Sequence, residues 1–344
     1  MKRIDVVSLG EILIDFTAAG LSEGGQPLYE CNAGGAPANV AAAVARLGGA
    51  AAFIGKTGVD YFGEYLKKTL EDIGVGTAGL RLDDTDHTTL AFVTLGSNGE
   101  RFFSFCRNTG ADTRLRSEEL DRVLLSDSLF LHVGSLSLTH EPSKTATFEA
   151  VRLAKESGAL VSYDPNWRAS LWSGQDVGIA AMKSLLGDAD LVKVSEEELA
   201  LLSGVSCVSK KDLGLYTDRL LENGARLVLA TLGADGVYYR TREKDGFVET
   251  WPIKVVDTTG AGDSFAGALL YRLAVRIRAH LSGLSGDTPA SVSEAFASIL
   301  ENSTALEEDL RFSTAAASLC VSGRGAIPAL PTLKAVNDFM GGVQ

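Results

Sequence analysis

Short runs of apolar and β-branched residues alternate along the chain with segments in which apolar residues recur every three or four positions. The first pattern is typical of buried strands and the second of helices with one buried face. Strands are predicted over residues 4–9, 51–54, 128–133, 159–163, 190–194, 226–230 and 236–240. Helices are predicted over residues 60–73, 141–157, 175–187, 195–203 and 209–222. This alternation favours an α/β fold with a mainly parallel sheet and helices on both faces.

A separate hairpin is predicted between residues 88–95 and 101–106, because Gly96-Ser97-Asn98-Gly99 joins two strand-like runs. Residues 55–58 are predicted to form a turn. Residues 277–305 form a polar stretch to which the sequence assigns no role. Since no repeat or low-complexity linker divides the chain, residues 1–344 are predicted to form a single domain with one small accessory sheet.

Two glycine turns lead into helices. Gly34 and Gly35 precede a helix with Pro37 in its first turn, and Gly260 to Gly262 precede a helix that repeats Phe265, Leu269 and Leu273. The first N–H groups of a helix have no partner within it, and a glycine turn lets them close around an anion.

Asp263 stands in the first turn of the second of these helices. It can act simply as a capping carboxylate, which contributes about 0.5–2 kcal/mol. It can instead be a general base beside a phosphate site, with the turn binding the group that a substrate hydroxyl attacks. Asp15, which follows the first strand, and Asn39, in the helix after Gly35, offer further polar groups for a ligand.

Composition and charge restrict the partners. The formal net charge is −12, which argues against nucleic acid as the main partner. No apolar run approaches the length of a membrane span, and the N-terminus lacks the apolar core of a secretory signal. The four cysteines lie far apart, which suits a reducing compartment such as the cytoplasm, and the four histidines form no transition-metal motif.

Residues 257–265, Asp-Thr-Thr-Gly-Ala-Gly-Asp-Ser-Phe, resemble the C-terminal signature of the PfkB, or ribokinase-like, family of carbohydrate kinases. Residues 34–40, Gly-Gly-Ala-Pro-Ala-Asn-Val, resemble the N-terminal signature of the same family. The segment 325–331 is similar to the family's closing segment, so the resemblance covers essentially the whole chain. No phosphate-binding P-loop occurs in the sequence, and a kinase would therefore depend on the turn at 260–263.

The resemblance implies a ribokinase-like α/β fold and the residues of a sugar-binding site. Asp263 would be the catalytic base, and the backbone of Gly260, Ala261 and Gly262 would form the anion hole. Strands within about 14–32 and 88–107 would form a β-lid over the sugar, through which the chain is expected to form a homodimer. The substrate-binding residues would be Asp15, Gly34, Gly35, Asn39, Phe103, Arg107, Arg168 and Asp263, with Phe105 as an alternative to Phe103 for stacking on the sugar.

The resemblance also implies ATP and Mg²⁺ as cofactors, with a monovalent cation such as K⁺ near Asp257 and Thr259. The residues expected to bind the nucleotide are Lys193, Thr231, Gly233, Gly236, Gly260 and Gly262. Glu198 would bind Mg²⁺ through water. Ser195 stands where the family has Asn, and Ser195 with Glu198 equally forms a helix-capping box.

Within the family, residues 10–15, 34–40 and 100–105 look most like those of the fructokinases, so D-fructose is the expected acceptor. The alternatives are 2-keto-3-deoxygluconate and ribose. A non-catalytic sugar-binding relative is the hypothesis from another class, and it would have no need of Asp263 and its glycines. A nucleotide-dependent dehydrogenase is disfavoured because no strand leads into a Gly-x-Gly-x-x-Gly turn.

Overall fold

The computed structural model describes residues 2–95, 101–283 and 291–342, except for the side chains of 94–95 and 101–103. The strands among these residues are β1 (Ile4–Leu9), β2 (Leu13–Leu21), β3 (Pro27–Gly34), β4 (Ala51–Gly58), β5 (Gly76–Asp83), β6 (Leu90–Leu95), β7 (Arg101–Cys106), β8 (Ser128–Gly134), β9 (Leu160–Asp164), β10 (Leu191–Ser195), β11 (Leu227–Thr231), β12 (Val237–Arg240) and β13 (Asp245–Val248). The α-helices are α1 (Ala36–Arg46), α2 (Tyr61–Asp72), α3 (Arg122–Ser126), α4 (Ser143–Glu156), α5 (Gln175–Ser184), α6 (Glu196–Ser203), α7 (Leu213–Glu222), α8 (Ala261–Leu281), α9 (Val292–Glu301), α10 (Ser303–Val321) and α11 (Leu333–Gly342).

Among the described residues, the larger sheet has nine strands in the order β13-β12-β11-β10-β9-β8-β1-β4-β5. The pairings from β5 to β11 are parallel, and β12 and β13 add to the edge as antiparallel strands. The predicted mainly parallel sheet is therefore confirmed. From β1 the sheet grows in one direction through β4 and β5 and in the other direction from β8 onward. In such sheets a ligand is expected to bind at this switch point, at the carboxyl ends of the strands.

Two hydrophobic cores cover the two faces of this sheet. On one face, Val6, Phe53 and Phe130 pack against the apolar sides of α1, α2, α8, α9 and α10. On the other face, Val7 and Leu131 pack against α4 to α7. Neighbouring residues of one strand thus enter opposite cores, which explains why these strands are continuously apolar rather than alternating.

The smaller sheet has four strands in the order β3-β2-β6-β7. Its β6–β7 pair confirms the predicted hairpin, while the turn at 96–99 lies outside the described residues. Phe16 of β2 stacks on Phe92 of β6 and meets Phe62 of α2 edge-on. These rings connect the smaller sheet to the body of the protein.

Residues 55–58 were predicted as a turn, and this prediction is wrong, because β4 continues through them beside β5. Lys56 is buried there, and its Nζ lies 2.9 Å from Asp83 and 2.8 Å from Glu119. Paired in this way, a lysine is accommodated inside a strand despite the cost of desolvation.

The polar stretch 277–305 contains the end of α8 and all of α9, while residues 284–290 lie outside the described part of the chain. Ser291 is the N-cap of α9, where its Oγ accepts a hydrogen bond from Glu294 N, and the helix buries Phe296 and Ile299. The sequence analysis assigned no helix here, although Val292, Phe296 and Ile299 recur at helical spacing and form its buried face. No helix in the described residues is both long and apolar enough to cross a membrane.

Candidate active site

A cavity of about 390 Å³ lies at the carboxyl ends of β1, β8, β9 and β10. Its walls come from the loops after β1, β8 and β9, from β2, β7 and β10, from the first turns of α1, α6 and α8, and from the loop before α8. The lining residues are Glu11, Leu13, Asp15, Gly35, Ala36, Asn39, Phe105, Leu136, Asn166, Arg168, Lys193, Ser195, Glu198, Thr258, Thr259, Gly260, Ala261, Gly262 and Asp263.

The glycine turn before α8 forms one end of this cavity. Gly260 has a left-handed backbone with φ of 76°, and a Cβ there would lie 2.8 Å from that of Ala326. Asp257 holds the turn, since its two carboxylate oxygens accept hydrogen bonds from the backbone N of Thr259 at 2.7 Å and of Gly325 at 3.0 Å. The last part of the chain thus supports the turn that opens the helix.

Asp263 lies half-buried in the first turn of α8. Its Oδ2 accepts a hydrogen bond of 2.7 Å from the Asn39 side-chain amide. Burial raises the pKa of Asp263 to about 6, and the nearby Asp164 adds to this, while the Asn39 bond, Lys193 and Arg168 act in the opposite direction. A carboxyl group with this pKa is largely ionised at neutral pH and still basic enough to take a proton from a hydroxyl group in a transition state.

A buried ion pair lies beside Asp263. Lys193 Nζ is 2.8 Å from Asp164 Oδ2. Burial alone would lower the pKa of Lys193, but Asp164 and Glu198 outweigh it and raise the value to about 12. A Cβ on Gly262 would lie 2.9 Å from this ammonium group, so Gly262 lets a fixed positive charge approach the start of α8. Positive charge and the first backbone N–H groups of α8 together suit a phosphate.

The paired glycines of the first signature lie opposite this turn. A Cβ on Gly34 would overlap the Asp15 carboxylate, which therefore rests on the backbone of Gly34. Gly35 has φ of 106°, and a Cβ there would lie 2.5 Å from the Glu11 carbonyl oxygen. Both positions require glycine for close packing, and both bring polar groups to the wall of the cavity.

Glu11 is a lining residue that the sequence reasoning missed. Its Oε1 accepts a hydrogen bond of 3.1 Å from the backbone N of Ala36. Burial raises its pKa to about 7, while the nearby Arg107 guanidinium lowers it. The available signal was an acidic residue directly after a buried strand.

Arg107 does not belong to the residues that line the cavity. It is buried beneath it, where its guanidinium donates to Asp112 at 2.7 and 2.8 Å, to Thr139 Oγ1 at 2.9 Å and to the Leu136 carbonyl at 3.0 Å. Arg168 does line the cavity, and its Nη1 donates to the Trp167 carbonyl at 2.8 Å. A direct contact of either arginine with substrate stays a prediction.

Of the two aromatic residues predicted to stack on the sugar, Phe105 lines the cavity. Phe103 pairs with Val93 in the hairpin, and its side chain lies outside the described residues.

Glu198 is buried and forms the predicted capping box of α6. Its Oε2 accepts from Ser195 N at 2.7 Å, and its Oε1 accepts from Trp167 N at 2.7 Å. The side chain therefore joins the loop after β9 to the start of α6. No cluster of three or more His, Cys, Asp or Glu side chains suited to a metal occurs in the described ranges.

A second cavity, of about 880 Å³, adjoins the first and shares Ser195 with it. Thr231, at the end of β11, and Gly233 line this cavity. Both were predicted to bind the nucleotide, and their contact with it stays a prediction. Gly236 serves the turn that follows, since its φ is 115° and a Cβ there would overlap the Val248 carbonyl. A contact of Gly236 with a nucleotide stays a prediction.

The cavity and the groups that line it define a class of protein. A carboxylate with a raised pKa, an anion-binding helix start and a fixed ammonium group face a polar cavity at the carboxyl ends of a parallel sheet. This arrangement can take a proton from a hydroxyl and stabilise a transferring phosphoryl group, which is the chemistry of a small-molecule kinase. A family model described as "pfkB family carbohydrate kinase" matches residues 3–333, and the chain belongs to that family. The protein is therefore a sugar kinase with the ribokinase-like fold, as the sequence predicted.

Known relatives agree with this assignment. The chain is 43% identical over 329 residues to "Fructokinase-1" of Zea mays, covering 95% of this chain and 94% of that one. The crystal structure of a fructokinase with bound ATP from Xylella fastidiosa superposes with a TM-score of 0.87 at 35% identity, covering 99% of both chains. A double mutant of the fructokinase of Vibrio cholerae O395, with fructose, ADP and potassium bound, gives a TM-score of 0.80 at 31% identity over 98% of this chain and 99% of that one.

Proposed function

We propose that the protein is an ATP-dependent fructokinase that transfers the γ-phosphate of ATP to a primary hydroxyl of D-fructose. The observation that carries the proposal is the placement of Asp263, bonded to Asn39 at the start of α8, in one cavity with the residues of both family signatures. The identity of 43% to a protein named as a fructokinase, over 95% of this chain, supports the choice of sugar.

In this mechanism Asp263 takes the proton of the attacking hydroxyl, and Asn39 fixes the carboxylate so that one oxygen faces the substrate. The N–H groups of Gly260, Ala261 and Gly262, with the dipole of α8, stabilise the charge on the phosphoryl group. Lys193, held by Asp164, adds a positive charge at the same end. Asp15, Gly34 and Gly35 bind the sugar hydroxyls on the opposite side.

The charges of the cavity favour a neutral sugar over the acid sugar 2-keto-3-deoxygluconate. Four carboxylates, those of Glu11, Asp15, Glu198 and Asp263, line the cavity together with Arg168 and Lys193. Lys193 is paired with Asp164, and Arg107 is paired with Asp112 beneath the wall. A substrate carboxylate would meet like charges and find one lining arginine, so it is disfavoured.

ATP would lie across the two cavities, with its phosphates at Gly260 to Gly262 and Lys193 and its nucleoside toward Thr231, Gly233 and Gly236. Mg²⁺ usually binds through one or two carboxylates, waters and substrate phosphates. Glu198 fits such a role through water, because its oxygens already accept backbone hydrogen bonds. When bound, the metal neutralises phosphate charge. A monovalent cation such as K⁺ is proposed to bind near Asp257 and Thr259.

We also propose roles for the smaller sheet and for the chain as a whole. The four-stranded sheet would act as the lid over the sugar, with Phe105 toward the substrate. Leu21 and Tyr29 are exposed on this sheet, which supports a homodimer formed through it. The whole chain would act as a single domain. The four free cysteines support a reducing compartment such as the cytoplasm.

Release of ADP from Mg·ATP should be measured against D-fructose, D-ribose, 2-keto-3-deoxygluconate, tagatose and adenosine. We expect the highest kcat/KM with fructose and loss of turnover in Asp263→Asn. Higher kcat/KM with another acceptor would overturn the choice of sugar. Silence across the panel from folded protein that binds ATP would overturn the kinase mechanism in favour of a sugar-binding role.

A further inference from the structure

Glu11 contains an unusual polar atom. The residue is 2% exposed and lines the smaller of the two cavities described above. Its Oε1 is used by the Ala36 N–H, whereas its Oε2 has no hydrogen-bond partner among the described residues. A buried carboxylate oxygen without a donor is costly, because it has lost its water and gained nothing in return.

The charges around Glu11 in the described part of the chain supply no hydrogen bond to its Oε2. The nearest opposite charge is Arg107, whose guanidinium already donates to Asp112, Thr139 and the Leu136 carbonyl. Its field lowers the pKa of Glu11 without supplying a hydrogen bond. The fold therefore holds a carboxyl group in place from one side, through Ala36, and leaves the other oxygen for a donor that is not part of the described chain.

The chemistry of that donor follows from the charges around it. An ammonium group would face the Arg168 guanidinium on the cavity wall. A carboxylate would face Asp15 and Asp263. A neutral hydroxyl meets neither penalty and supplies the hydrogen-bond donor that a carboxylate oxygen requires.

We propose that Glu11 is a specificity-determining residue of the sugar site, whose Oε2 accepts a hydrogen bond from a hydroxyl of the bound neutral sugar. This inference rests on the proposed function. Because Asp263 serves the hydroxyl that is phosphorylated, Glu11 binds a different one.

The test compares Glu11→Gln with wild type. The Gln side chain keeps an acceptor for the Ala36 N–H and replaces the free carboxylate oxygen with an amide. We expect KM for fructose to rise roughly 10-fold or more, the size of a lost charge-assisted hydrogen bond, while KM for ATP and Tm stay near those of wild type. Unchanged KM for fructose, or equal rises for fructose and ATP, would overturn the proposal.

Asp5→Asn is the matched control. Asp5 is a buried carboxylate at the other end of β1 that also accepts a backbone hydrogen bond, from Ala50 N at 2.8 Å, and pairs with Arg278. Its variant should lower Tm and leave KM for fructose unchanged. A rise in KM for fructose in this control would assign the effect of Glu11→Gln to general destabilisation.

Fructose analogues that each lack one hydroxyl identify the contact. The 1-deoxy, 3-deoxy and 4-deoxy sugars and 2,5-anhydro-D-mannitol should be compared in wild type and Glu11→Gln. For one analogue that remains a substrate, the variant should lose no further kcat/KM, because the partner hydroxyl is already absent. Additive losses with every analogue would overturn the proposal. Failure of wild type to phosphorylate fructose would contradict the proposed function instead, and the two failures are therefore distinguishable.

Discussion

Asp263 and Asp309 are two carboxylates associated with helix α8, one in its first turn and one packed against its side. Asp309, on α10, is completely buried and accepts three hydrogen bonds from Arg272 and Arg276 on α8, at 2.8, 2.5 and 3.0 Å. Asp263, at the start of α8, accepts one from the Asn39 amide, and burial raises its pKa to about 6. A carboxylate surrounded by donors stabilises the fold, whereas one with few donors keeps its basicity for a reaction.

The largest effect is expected from Asp263→Asn. Removal of the base should lower kcat by about 10²–10⁴-fold, with KM for fructose nearly unchanged. The variant should also have a higher Tm than wild type at pH 7, because the ionised carboxylate is disfavoured in the folded protein, and an unchanged Tm near pH 4, where the wild-type carboxyl is protonated. Steady-state kinetics and thermal unfolding at both pH values test this. A kcat within a few-fold of wild type would contradict the assignment of the base.

A pair of alanine variants on α8 separates chemistry from packing. In Gly262→Ala the new methyl would lie 2.9 Å from Lys193 Nζ and displace the ammonium group, so kcat/KM for ATP should fall on the order of 10²-fold. In Gly267→Ala the methyl would meet Ala43 Cβ at 2.5 Å, where α1 packs on α8. That variant should lose about 1–3 kcal/mol of unfolding free energy and keep its kcat. Equal effects of both variants on kcat/KM and on unfolding would show that the start of α8 has no special role.

Asp309→Asn tests the carboxylate that accepts three hydrogen bonds from the arginines of α8. It leaves two half-exposed arginines without their shared partner, so we expect a loss of about 1–3 kcal/mol in unfolding free energy. The value of kcat for the folded fraction should stay near that of wild type. Urea unfolding and kinetics on the same samples measure both quantities. A large loss of kcat at full folding would contradict a purely structural role.

The smallest expected effect is a shift in the pH dependence of kcat/KM. Because the base must be ionised, kcat/KM should be constant above the pKa of Asp263 and fall as the pH drops through about 6. The Asn39 bond lowers the pKa of Asp263, so Asn39→Ala should move the acid limb to higher pH by a fraction of a unit. A shift to lower pH, or none, would contradict the part that Asn39 plays in setting this pKa. The pH profile of kcat/KM for both proteins is the measurement.

The sequence predicted the parallel sheet and the turn at Gly260 because these depend on local patterns: apolar runs, helical repeats and glycines. It also placed Asp263, Asn39 and Gly35 in one site through their resemblance to a family, and all three line one cavity in the structure.

Other features escaped the sequence because they depend on distant partners. The buried position of Lys56 depends on Asp83 and Glu119, and the burial of Arg107 depends on Asp112 and Leu136, so neither follows from its neighbours in the chain. Helix α9 differs, because its helical spacing is present in the sequence and only its contact with the sheet, Phe296 on Phe130 at 6.3 Å between ring centroids, is not. The sequence shows that Glu11 follows a buried strand, but the hydrogen bond of its Oε1 to Ala36 N appears only in the folded chain.

The pairing of Asp257 with Gly325 has a consequence for how the protein is made. The turn that begins α8 takes its shape from residues more than sixty positions later, and Ala326 packs where Gly260 must bend. A ribosome-bound chain can therefore have synthesised Asp263, Asn39 and the whole parallel sheet and still lack a formed phosphate site. The turn would therefore take its full set of contacts only after residues 325 and 326 have left the exit tunnel.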